Sequence, residues 1–213
     1  MSTIGILGTG RVGANLARAL AAAGHTVVLG SQRPAAEHGG EPFPVSVSIT
    51  DQPTAARTAE VVINATPGES SLERLSELRD QLAGKILVDV SNATRSADDG
   101  LPGQLHYAGA SLAERLQQAL PDTRVVKTLN TMLFTVMTAP ASLAVPPTAY
   151  LSGDDENAKG EVAVLLGDLG WRLEWIEDLG DIGTSRATEA MILLVPHVIR
   201  RHGLQPFAIS LAR

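Results

Sequence analysis

Near the start of the chain, the residues that could do chemistry are glycines, and what they offer is room for a ligand. Gly8-Thr9-Gly10-Arg11-Val12-Gly13 reads G-x-G-x-x-G. At that spacing Gly8 permits a tight turn, Gly10 lets backbone approach a pyrophosphate, and Gly13 lets a helix pack closely on a strand. Free N–H groups at the start of that helix favour negative charge, so the chemistry is dinucleotide binding. A second group names the dinucleotide. An NAD site usually carries Asp or Glu about 20 residues past the glycines, accepting from the ribose 2′-hydroxyl. Here that region reads Gly30-Ser31-Gln32-Arg33, with no acid before Glu37. A hydroxyl and a planar guanidinium suit a 2′-phosphate, which points to NADP.

Elements must hold these residues in place. Ile4, Ile6 and Leu7 form a short apolar run, read as a buried strand, ahead of a helix with Val12, Leu16, Leu20 and Ala23 on one face. Gly24 stops that helix, and His25 to Leu29 is a second strand. Further strands are expected at Val45 to Ile49, Val61 to Ile63, Ile86 to Val90 and Arg124 to Leu129. Asp51 caps a short helix between two of them. Ser70 to Leu82 and Ser111 to Leu120 read as single helices, while Ser96 to Gly103 reads as a polar surface loop. Strand alternating with helix predicts an α/β fold, a Rossmann-type doubly wound parallel sheet.

In such a sheet, ligands bind outside the carboxyl ends of the strands. That rule selects three loops, Gly8 to Gly13, Ala65 to Gly68 and Ser91 to Thr94, with Ala65, Thr66 and Pro67 expected along the ribose and nicotinamide and Ser91 and Asn92 placed to hydrogen-bond ribose or carboxamide. Ser91 and Asn92 also suit a local cap or turn. Asn130-Thr131-Met132-Leu133 follows the last strand of this half, where a hydride acceptor would meet the nicotinamide. Asn130 is equally placed to cap a helix running to about Met137, and one residue can do both.

The proline-rich run Ala139 to Pro147 reads as a boundary. It divides residues 1–138, an NADP-binding Rossmann domain, from 139–213, a smaller C-terminal α/β region completing the acceptor cleft. That region is expected as strand (Thr148 to Ser152), helix (Glu156 to Leu169), strand (Arg172 to Ile176) and a helix from Ser185 to His202 kinked or divided at Pro196. Arg186 and Glu189 are read as a structural i,i+3 pair on that last helix.

No certain catalytic dyad emerges. His25 and His38 are expected at the surface, His106 in a loop, and His197 and His202 on the last helix. No histidine pair has i,i+4 spacing, so no metal site is expected. The chain has no cysteine, which excludes disulfides, thiolate metal sites and cysteine nucleophiles. Its net charge of -6 argues against a nucleic-acid or anionic-membrane partner. Aromatic content of only 3% requires an aliphatic core. Met1-Ser2-Thr3 leads directly into the first strand and no apolar stretch reaches membrane-spanning length, so the expectation is a cytoplasmic protein with no signal peptide. The apolar Met191 to Val195 offers a homodimer surface.

Gly8 to Gly13, Gly30 to Arg33, Lys127-Thr128-Leu129-Asn130-Thr131, Gly153-Asp154-Asp155 and Ser185-Arg186 together resemble the NADPH-dependent F420 reductases (F420H2:NADP oxidoreductases) and their bacterial relatives, over essentially the whole chain. The resemblance implies that Thr9 to Val12 hold the pyrophosphate and that Ser31 with Gln32 or Arg33 holds the 2′-phosphate. It also implies a hydride exchanged between nicotinamide C4 and C5 of the deazaflavin coenzyme F420 as co-substrate. Two departures stand out: archaeal members usually carry His-Thr at Asn130-Thr131, and Arg is common at Gln32. F420 carries a phosphate and an acidic tail, for which Arg200, Arg201 and Arg213 offer cations, although arginines there also complement a helix terminus. The same scaffold serves NADPH-dependent reductases of flavins, imines or other small molecules, or a non-catalytic NADP sensor.

Overall fold

The computed structural model describes residues 1–32 and 42–212. Strand β1 (Thr3–Leu7) leads into helix α1 (Arg11–Ala22), then β2 (Thr26–Ser31), β3 (Val47–Asp51), α2 (Gln52–Thr58) and β4 (Val61–Asn64). Helices α3 (Gly68–Ser76) and α4 (Arg79–Leu82) precede β5 (Ile86–Asp89). A hairpin of β6 (Thr94–Ser96) and β7 (Pro102–Leu105), helix α5 (Leu112–Ala119), strand β8 (Arg124–Lys127) and helix α6 (Phe134–Met137) follow. The remainder is β9 (Ala149–Leu151), α7 (Glu156–Asp168), β10 (Ile176–Asp178), α8 (Ser185–Ala190) and α9 (Val195–His202).

Six strands form one sheet in the order β3-β2-β1-β4-β5-β8, every pairing parallel. This is the expected doubly wound sheet. The strand order reverses at β1, whose Leu7 lies opposite both Gly30 and Asn64. Alternation along β1 sends Ile4 and Ile6 to a core shared with Leu16, Ala17 and Leu20 of α1. Leu7 instead enters a second core with Ala55 and Ala56 of α2, Leu75 of α3 and Leu116 of α5. The sheet is therefore sandwiched between two helical layers. Val126, Leu151, Val162 and Trp171 all belong to the first core, so residues on both sides of the proline-rich run bury one another.

Several expectations change in three dimensions. The buried face of α1 is Gly13, Leu16, Ala17 and Leu20, whereas Ala23 is exposed. The single helix expected over Ser70 to Leu82 is broken into α3 and α4. The polar loop from Ser96 to Gly103 is the tip of the β6–β7 hairpin, held by cross-strand pairing of Thr94 with Leu105. β8 stops at Lys127 because Leu129 adopts φ 58, a left-handed backbone at a buried leucine. Around Arg172 the chain forms a 3₁₀ turn, Leu173–Trp175, and pairing begins only at Ile176. The last helix is divided as expected, but ahead of Pro196: α8, a 3₁₀ turn over Met191–Leu194, then α9 with Pro196 in its first turn. Among the described residues, no helix is long and apolar enough to cross a membrane.

Candidate functional site

The cleft lies at the carboxyl ends of the strands, where the order of the sheet reverses. Gly8 turns the chain out of β1 with φ +115, and its N–H donates to the Gly30 carbonyl at 3.0 Å. A Cβ on Gly8 would lie 2.5 Å from the Ala65 carbonyl oxygen, so the turn is pressed against the loop after β4. A Cβ on Gly13 would lie 1.9 Å from the Gly8 carbonyl oxygen, which fixes how closely α1 approaches the turn. Gly10 differs: a Cβ there would meet nothing within 4 Å, because it faces the open cleft. No side chain caps α1, and its first turn carries no acid. Its leading N–H groups are thus left for an anion, as a dinucleotide pyrophosphate requires.

The cleft has a volume of about 820 Å³. Gly8, Thr9, Gly10, Arg11, Val12, Ser31, Gln32, Ala65, Thr66, Pro67, Ser91, Asn92, Asn130, Met132 and Leu133 all line it. Gly13 and Thr131 lie behind the lining. Gly13 packs under the turn, and the Thr131 carbonyl accepts from Ile209 N–H at 2.9 Å. Arg33 and His38 lie outside the described residues, as does Arg213. Gly68, in the loop that the strand-end rule selects, lines the cleft too; sequence reasoning missed Gln52, Arg74, Val90, Phe134, Met137, Ile192, Val195 and Phe207, which complete the lining. Phe207 and Ile192 come from the far end of the chain, and no local pattern signals that approach. The final segment is docked by Leu133 N–H donating to the Phe207 carbonyl at 3.0 Å. Despite the negative net charge, no carboxylate lines the cleft among the described residues, and Arg11 and Arg74 are its cations.

A buried polar network joins the loops that form the walls. Asn64 Nδ2 donates to Asp89 Oδ1 at 2.9 Å and to Ser91 Oγ at 3.1 Å. Asn64 Oδ1 accepts from Thr66 Oγ1 at 2.6 Å, tying the loop after β4 to the one after β5. Lys127 Nζ donates to Asp89 Oδ2 at 2.7 Å, to Glu189 Oε1 at 2.8 Å and to the Ser91 carbonyl. All three charged side chains are buried. Burial opposes the Lys127 charge, but the two carboxylates outweigh it and hold its pKa above the ordinary lysine value. Glu189 also accepts from the first N–H groups of α5, Leu112 at 2.9 Å and Ala113 at 3.2 Å. Across the cleft, Asn92 Nδ2 donates to the Asn130 carbonyl at 2.8 Å, and Asn130 Nδ2 returns a bond to Asn92 Oδ1 at 3.0 Å. Asn130 is not a helix cap; Leu133 occupies the position before α6.

Other candidates resolve structurally. Arg186 and Glu189 do not pair with each other. Arg186 grips Glu114 with Nε 2.7 Å from Oε2, while Glu189 turns inward to Lys127. His25 is buried, not at the surface, with Nε2 3.1 Å from Asp168 Oδ2. His106 is half-buried beside Tyr107, outside the cleft lining. Arg200 binds Asp99 at 2.6 Å, which closes the α9 end onto the β6–β7 hairpin. Among the described residues, no cluster of His, Asp and Glu is placed to hold a metal.

Fold and cleft together define a Rossmann-type α/β protein with a cleft suited to a dinucleotide. Residues 3–93 match the family described as NADP oxidoreductase coenzyme F420-dependent. A crystal structure from Arthrobacter sp. FB24, under the provisional name F420-dependent NADP-reductase, superposes with TM-score 0.91 at 37% identity, covering 100% of both chains. The F420-dependent NADP reductase of Methanocaldococcus jannaschii is 28% identical over 66% of this chain and 62% of its own. Rat Metalloreductase STEAP3 is 34% identical over 89% of this chain. The chain spans only 36–39% of the length of the metalloreductases that it matches. It belongs to the coenzyme F420-dependent NADP oxidoreductase family.

Proposed function

We propose that this chain exchanges a hydride between NADP(H) and a deazaflavin of the coenzyme F420 type, both bound in the cleft between the glycine loop and Phe207. The observation that carries this reading is the cleft's lining: uncapped N–H donors and, among the described residues, no carboxylate at one end, with apolar walls at the other. When bound, NADP(H) supplies the hydride, and the chain's task is to align two rings and keep water away. The N–H groups at the start of α1 hold the pyrophosphate, and Ser31, Gln32 and Arg33 meet the 2′-phosphate. Ala65, Thr66 and Pro67 flank the ribose. Ser91 and Asn92 hydrogen-bond to the ribose or carboxamide, their positions held by Lys127 and Asn130. Asn130, Met132 and Leu133 face the acceptor, with Thr131 behind them, while Phe134, Ile192, Val195 and Phe207 exclude solvent. Among the described residues no histidine lines the cleft, which suits hydride transfer between two bound rings, a step that depends on alignment and exclusion of water more than on a protein acid or base.

The test is NADPH oxidation by the purified protein, followed spectroscopically with F420 and separately with FMN. Turnover with F420 alone is expected. The 34% identity to rat Metalloreductase STEAP3 supports a second reading, an NADPH-dependent reductase of a flavin or other small acceptor. Turnover with FMN and none with F420 would favour it. Tight NADPH binding without turnover on any acceptor would instead make the chain an NADP sensor.

A further inference from the structure

Arg74 sits in the second turn of α3, a helix whose first residue, Gly68, is part of the cleft wall. Side chains on a helix lean toward its N-terminus, and Arg74 does so. Its Nε donates to Ser70 Oγ at 2.9 Å, one turn back, which carries the guanidinium over the cleft. Among the described residues no carboxylate pairs with it, and its terminal amino groups have no protein acceptor. Its neighbours in charge are differently disposed: Arg186, Arg200 and Lys127 are each spent on a carboxylate, and Arg11 lies over the ring of Phe134. A half-buried guanidinium without a counter-charge, aimed into a cleft where no described residue places a carboxylate, is a ready anion ligand.

The fold indicates which anion. α3 lies on the sheet face opposite α1, in the same core as α2, and packs on α5. Gln52, the first residue of α2, also lines the cleft and follows β3, whose Asp51 is in register with Ser31 of β2. Ser31 and Gln32 mark the adenosine end, because the residue at the end of β2 meets the ribose 2′ substituent in this fold. Asp51, the carboxylate nearest that register, is turned away to cap α2, accepting from Thr54 N–H at 2.7 Å. We propose that Arg74, seated on Ser70, is a specificity residue that binds the 2′-phosphate of NADP from the α3 side of the cleft. The inference rests on the NADP reading above and adds a residue to it.

Calorimetric titration of NADP, NAD and 2′,5′-ADP into the wild-type protein, Arg74→Ala and Arg74→Gln provides the test, with a thermal melt of each. Loss of a charge-assisted pair should weaken NADP and 2′,5′-ADP by about tenfold or more in both variants, with NAD changing by less than about twofold. Equal weakening of NADP and NAD would overturn the proposal by placing Arg74 against a part common to both. Unchanged NADP affinity in a folded variant would overturn it as well. A wild-type protein that fails to bind NADP would instead overturn the function proposed above, and this inference with it.

Discussion

Lys127→Met is the most informative single change, because Lys127 holds together both the fold and the wall of the cleft. Its ammonium is about as buried as any group in the molecule and contacts Asp89 at 2.7 Å and Glu189 at 2.8 Å. The partners' side chains are 0% and 4% exposed, so neither can turn to water once the lysine is gone. Breaking a buried pair by removing one partner costs about 3–5 kcal/mol, chiefly because a charge is left uncompensated. For a chain of this size that is a fall of roughly 6–20 °C in melting temperature. The Ser91 carbonyl also loses its donor, so NADP affinity should fall in whatever fraction remains folded. Adding Glu189→Gln removes one stranded charge and should recover part of the loss, a coupling that a double-mutant cycle reads directly. In the wild type, the raised Lys127 pKa sets the sign of the pH effect. The ion pair's contribution is complete below the ordinary lysine value of about 10.4 and is lost only as pH climbs through the higher folded value. Denaturant titrations at neutral and alkaline pH measure both effects. A Lys127→Met protein within about 1 kcal/mol of the wild type would refute the argument, since that is what an exposed ion pair is worth.

Three further outcomes are expected. Gly10→Ala should leave the melting temperature almost unchanged yet weaken NADP, because its Cβ enters open cleft, whereas Gly13→Ala should destabilise the fold against the Gly8 carbonyl; melts with and without NADP separate the two. Glu114 caps α5 in a box with Ser111 and is gripped by Arg186, whose hydrogen bonds hold its pKa below the usual glutamate range. Its stabilisation is therefore present above the ordinary carboxylate pKa and lost on acidification through the lowered value. Glu114→Gln should cost about 1 kcal/mol at pH 7, and the gap to the wild type should close in strong acid. Light scattering should report a dimer built on the segment from Met191 to Val195, where Leu194 is 50% exposed, and a monomeric mass would reject it.

Local information was enough for the frame. Each strand of the large sheet is a short β-branched or aliphatic run, and Gly8, Gly24 and Gly170 mark turns by adopting positive φ, which a side chain resists. The helix starts at Asp51, Ser111 and Asp155 were legible or nearly so, because a capping side chain acts within three residues of itself. The strand-end rule then located most of the cleft without coordinates, since parallel topology alone brings those loops together.

What the sequence could not decide depends on partners far away in the chain. Arg186 and Glu189 look like a helical pair at i,i+3, yet their charges are claimed by Glu114 and Lys127, because α8 packs against the start of α5. His25 reads as a residue after a helix stop and is buried because Asp168, at the end of α7, closes over it. Lys127 reads only as one residue of a strand expected to run to Leu129, and its enclosure by β5 and α8 is what makes it an interior ion. The apolar end of the cleft is built by Phe207 and Ile192, and no spacing rule connects them to Leu133. Sequence by itself determined the class of fold and the cofactor loop, because turns, caps and short apolar runs are local properties. Tertiary structure alone decided which charges are buried together and what covers the second half of the site, because those depend on contacts between residues dozens of positions apart.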